Sequence, residues 1–143
     1  MTSIALPEEF WQGVEQFNQQ EFYACHDTLE ALWMEAVGPE KRFYQGILQI
    51  AVSCHLLFIL TWRGAVILLG EGIGRLRDYQ PVYEEIDVTS LVVQSAQLLQ
   101  ALQESGQEQV ENFVKNLTIN QELDVESSRE PTYRLPQILR VES

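Results

Sequence analysis

The stretch from about residue 40 to residue 62 constrains this chain more than any other. Phe43, Ile47, Leu48, Ile50, Ala51, Val52, Leu57, Phe58 and Ile59 fall around nearly the whole circumference of the helix they predict. Only Gln45, Gln49 and Ser53 interrupt it as one narrow polar stripe, with His55 elsewhere. A helix apolar on almost every side must be wrapped by other elements. The run from Ile47 to Leu60 is too short for a bilayer, and extending it through Leu69 takes in Arg63 beside Gly64. The pattern therefore predicts a buried central rod rather than a membrane span.

Helical punctuation supplies the wrapping. Pro7 followed by Glu8 and Glu9 makes a good first turn, and Phe10, Trp11, Val14 and Phe17 then recur at helical spacing. A second helix is expected from about Glu21 to Ala36, ended by Gly38-Pro39. The third runs from about Glu40 to Trp62, and a fourth from about Gly64 to Tyr79, closed by Pro81. Asp87 or Thr89 caps a fifth helix reaching about Ser105, with Gly106 as its stop. Val110, Phe113, Val114 and Leu117 mark a sixth helix or an extension of the fifth. Short connections make neighbours antiparallel. The fold class is all-α, an antiparallel bundle of five or six helices over residues 1–120. Residues 121–143 read as an extended tail, partly docked through Tyr133, Leu135, Ile138 and Leu139.

The chain is acidic, with a net charge of −12 over 143 residues. Such a surface repels phosphate backbones, which excludes nucleic acid and anionic membranes as partners. Met1 to Leu6 has no basic n-region and no apolar h-region. Cys25 and Cys54 both sit in apolar helical patterns, which favours buried free thiols over a disulfide scaffold. A soluble, cytoplasmic domain is the consistent expectation. The surplus of apolar surface on helices three and four predicts a homodimer or a protein partner.

On the second helix, Phe22, Cys25, Leu29, Leu32, Trp33 and Ala36 form the apolar stripe. His26 falls beside Trp33 just inside it, and Glu30 lies one turn on at its edge with Tyr23. Asp27 turns further towards solvent. An imidazole and a carboxylate thus share one side of a helix and look towards the core, where each solves the other's burial problem. With an antiparallel neighbour turning near Gly38, His26 should lie level with residue 50 and Glu30 with residue 46, so Gln49 and Gln45 are the expected cross-helix partners. His55 sits roughly 7 Å further along the axis.

These residues resemble a known family. Phe17-Asn18, His26-Asp27-Thr28-Leu29-Glu30-Ala31-Leu32-Trp33, and Phe43-Tyr44-Gln45-Gly46-Ile47-Leu48-Gln49 running to Ala51, His55 and Gly64-Ala65 are similar to domain of unknown function 309, small all-helical bacterial, archaeal and plastid proteins. Its hallmark is His-Glu-x-x-Glu-x-x-Trp followed by Gln-Gly-x-x-Gln. The likeness covers about residues 8 to 80, and Asp27 stands where the pattern has Glu. It implies a helical bundle and assigns no reaction.

Three readings of the cluster follow. It is a satisfied polar layer that fixes helix register. Or it is a binding face for a small molecule or protein partner, with Tyr23, His26, Glu30, Trp33, Gln45 and Gln49 as its residues. Or His26, Glu30 and His55 serve a metal-dependent hydrolase. Cys25-His26 and Cys54-His55 invite a zinc site, but adjacent helical residues diverge by about 100° and chelate poorly. The expectation is a binding or interaction module with no cofactor, no bound metal and no catalytic residue assigned, the hydrolase being the alternative. Gly70-Glu71-Gly72-Ile73-Gly74 mimics a phosphate loop, but its mid-helix setting favours close helix packing.

Overall fold

The computed structural model describes residues 6–122 and 134–142. Six helices follow in chain order: α1 (Glu8–Asn18), α2 (Phe22–Glu35), α3 (Pro39–Phe58), α4 (Trp62–Leu76), α5 (Val88–Ser105) and α6 (Val110–Glu122). The all-α bundle is as expected, and the sixth helix is separate from the fifth. Among the described residues, no helix is long and apolar enough to cross a membrane.

The chain ends two helices by a device that usually announces itself with glycine. After α3, the Leu60 amide bonds back to the Leu57 carbonyl at 3.0 Å and the Thr61 amide to that of Leu56 at 2.8 Å. This is a Schellman motif, and Leu60 takes its left-handed position at φ 63°. After α1, Gln20 (φ 65°) does the same, with Gln20 and Glu21 amides bonding to Phe17 and Gln16. With no glycine at residue 60, periodicity alone ran the third helix on to Trp62. Trp62 instead opens α4, and its indole donates to the Leu102 carbonyl at 2.9 Å.

A two-stranded antiparallel hairpin, β1 (Val82–Tyr83) and β2 (Ile86–Asp87), precedes α5. Its turn places Glu84 and Glu85 at positive φ (44° and 69°), where Asn-Gly is usual, so the sequence carries no hairpin signal. The Asp87 side chain then accepts from the Ser90 amide at 2.9 Å and caps α5, as expected.

α3 is the central rod. It packs against both α2 and α4 and also meets α6. Phe43, Ile47, Ile50, Ala51 and Cys54 are completely buried. Much of its near-continuous apolar circumference is therefore covered by the chain's own helices, while Ile59 just past its end and Ile67 of α4 stay about half exposed. At the α3–α4 crossing the backbones nearly touch. A Cβ on Gly72 would lie 2.8 Å from both the Gly46 carbonyl oxygen and Ile50 Cγ1. The glycine-rich run of α4 is a packing device, as its mid-helix setting suggested, though only through Gly72: a Cβ on Gly74 meets nothing.

Of the expected tail contacts, Leu135 and Ile138 are buried against the bundle. Leu139 is not: its side chain alternates outward from Ile138 and is 48% exposed. Tyr133 lies outside the described residues.

Candidate functional site

α2 buries Phe22, Cys25 and Leu29 in the core. One step around the helix, His26 emerges with its side chain 33% exposed, and Glu30, a turn further, with 44%. His26 Nε2 lies 2.7 Å from Glu30 Oε2, and Nδ1 lies 3.2 Å from Asp27 Oδ1. The expected imidazole–carboxylate pair is present. It lies at the surface, however, rather than looking into the core, and Asp27 closes the other side of the ring despite its shorter arm. Carboxylate oxygens only accept, so both contacts are made together when both ring nitrogens carry a proton.

This pair belongs to the seam between α2 and α3. Near one end the exposed Tyr23 ring meets both imidazoles, with its centroid 6.1 Å from that of His26 and 5.5 Å from that of His55. At the other end Trp33 is held by Lys41, which donates to its carbonyl at 3.0 Å and stands 4.8 Å from the centre of its ring. The Trp33 indole N–H is buried without a hydrogen-bond partner. Gln45 is half-buried and makes no side-chain hydrogen bond with another described residue.

Gln49 does not join them. Its amide donates to Glu71 Oε2 at 3.0 Å and accepts from the Arg75 guanidinium at 3.0 Å, both on α4. Ser53, further along the same polar stripe, donates to the Ala65 carbonyl at 2.7 Å. The expected pairing of Gln49 with His26 is thus replaced by an α3–α4 link. Counting residues from the turn at Gly38 gives a level along the axis. It does not give the side, and a central helix has neighbours on more than one side.

The cysteines separate from the histidines as helical geometry requires. Cys25 and Cys54 are free and buried, while His26 and His55 reach the seam. Burial pushes the Cys25 thiol up to about 12, and it raises Cys54 as well. Among the described residues, no three His, Cys, Asp or Glu side chains are grouped so as to hold a metal ion. His55 is at Tyr23, and it completes no ligand set with His26 and Glu30.

Two features escaped sequence reasoning. Lys41 is tied to Trp33, and a Lys two residues after a helix-starting proline carries no such signal. A cleft of about 380 Å³ opens beside the α2–α3 turn, lined by Leu6, Leu32, Ala36 and Tyr44 together with Glu35 and Glu40. Burial and the neighbouring Glu40 charge raise the Tyr44 phenol. The cleft gathers residues from three elements, so no local pattern could reveal it.

A comparison with curated proteins returns no match. Residues 10–68, which carry α2, α3 and the residues of the seam, match the family described as Domain of unknown function (DUF309), which supports the resemblance read from the sequence.

Proposed function

We propose that the protein is a binding module and that the α2–α3 seam is its ligand face. The observation that carries this reading is where the His26 partners lie. Both Asp27 and Glu30 are on α2 itself. A polar layer that sets register has to bridge helices, and this one does not. What remains is an imidazole held in one orientation at the surface, beside a Tyr23 ring that is 63% exposed. Aromatic area with a few fixed polar groups is the composition of a recognition surface. The acidic pair and the net charge of −12 favour ligands that carry a cationic group.

The test is a ¹H–¹⁵N and ¹H–¹³C spectral screen of the full chain against amino acids, polyamines and basic peptides. Amides of Tyr23–Trp33 and the ring signals of His26 and His55 should shift saturably with at least one of them. His26→Ala should abolish that response while the dispersed spectrum of the folded chain persists. Responses confined to other surfaces, with the seam silent, would sink the assignment.

A further inference from the structure

Residues 134–142 lie outside the matched family stretch, yet their backbone is held with unusual completeness. Gln94 of α5 clamps Gln137: its amide donates to the Gln137 carbonyl at 3.1 Å and accepts from the Gln137 N–H at 3.0 Å. Asn18, the last residue of α1, clamps the next residue in the same way. It donates to the Ile138 carbonyl at 2.9 Å and accepts from the Ile138 N–H at 2.7 Å. Successive peptide groups of an extended chain point to opposite sides, and here each side finds one side-chain amide. The hairpin then continues the reading. Ile86 bridges antiparallel to Arg140, the Asp87 amide donates to the Leu139 carbonyl at 2.9 Å, and the Val141 amide donates to the Glu85 carbonyl at 2.8 Å.

Side chains add selectivity. Leu135, Pro136 and Ile138 are buried, while Gln137 and Leu139 face outward. The Arg140 guanidinium lies 4.0 Å from the centre of the Trp11 ring and 3.2 Å from Glu85 Oε1. Bidentate amide clamps on a lone strand, strand addition at a sheet edge, alternate apolar pockets and an aromatic–acidic seat for one basic residue are the means by which folded domains hold extended peptides.

We propose that the furrow formed by α1, α5 and β2 is a recognition site for an extended peptide of the pattern Leu-Pro-x-Ile-x-Arg, and that its occupant is the chain's own segment 134–142, bound in cis as an exchangeable ligand. The furrow does not use the α2–α3 seam, so the two readings stand or fall separately.

The test uses the full chain with Ile138→Asp and Arg140→Glu, which empties the furrow, and a fluorescein-labelled synthetic peptide of residues 134–142. Fluorescence anisotropy should show saturable binding to this variant. Binding to the wild-type chain should be weaker by about tenfold or more, because the tethered segment competes at high effective concentration. Adding Asn18→Ala to the variant should weaken it by about tenfold again through the lost clamp. No saturable binding to a variant with unchanged circular dichroism overturns the proposal. So does equal binding to variant and wild type, and so does a variant that unfolds, since the segment would then be part of the core. Amide hydrogen exchange on the wild-type chain provides a second check. Ile138 and Val141 should exchange together and well before α3, and protection equal to that of α3 refutes an exchangeable occupant.

Discussion

Gly72→Ala and Gly74→Ala make the same chemical change two residues apart on α4, and the structure predicts opposite signs. A methyl in a helix interior is worth about 0.5–1 kcal/mol over glycine when nothing opposes it. At Gly74 nothing does, because no atom beyond its chain neighbours and its own helix backbone lies within 4 Å of the added carbon. Gly74→Ala should therefore stabilise by that amount. At Gly72 the carbon meets the Gly46 carbonyl oxygen at 2.8 Å, Ile50 Cγ1 at 2.8 Å and the Ile50 amide nitrogen at 3.3 Å. Two of these are backbone atoms of α3 and cannot rotate away. Relief requires the helices to part by a few tenths of an ångström, and a gap of that order already forfeits part of the dispersion energy along the crossing. Overpacking of this kind costs about 1–3 kcal/mol. After the propensity gain, Gly72→Ala should be destabilising by up to about 2.5 kcal/mol. Urea unfolding followed by circular dichroism measures both, as shifts of midpoint at unchanged slope. If Gly72→Ala raises the midpoint as Gly74→Ala does, the backbones are not in contact there and the reasoning fails.

Leu60→Gly should stabilise by at most about 1 kcal/mol, because the left-handed site after α3 costs a branched residue strain that glycine avoids, less what is lost with the buried half of the Leu60 side chain, which is 45% exposed; a lowered urea midpoint would refute this. His26→Ala should change stability by less than about 1 kcal/mol, since it leaves behind solvated carboxylates rather than a buried unpaired charge. A larger loss in thermal unfolding would restore a structural role for the ring. Cys25 and Cys54 should resist Ellman's reagent in the folded chain at about pH 8 and react at once in urea. The folded state holds the Cys25 proton more tightly than the ordinary value of 9.0 allows, so that contribution is present below pH 9.0 and is lost as the pH rises towards about 12. Labelling in buffer at the unfolded rate would show the thiol to be accessible.

The amino-acid pattern by itself determined that this chain forms helices, where most of them begin, and that one of them lies at the centre. Periodicity, Pro7, Gly38-Pro39, Asp87 and Gly106 are local signals, and each acts within a turn or two of its own position. The one-turn spacing of His26 and Glu30 is equally local, so their pairing was legible too. Tertiary structure decided what each side chain faces. Gln49 turns to Glu71 and Arg75 rather than to His26 because α3 has partners on several sides, and nothing in a linear sequence says which partner takes which face. Left-handed residues without glycine, at Gln20, Leu60, Glu84 and Glu85, moved a helix end and created a hairpin that composition could not announce. The furrow that grips residues 134–142 is assembled from Asn18, Glu85 and Gln94. Such a site exists only after the chain has folded, because Asn18 and the segment it grips each lie tens of residues from Glu85 and Gln94 along the chain.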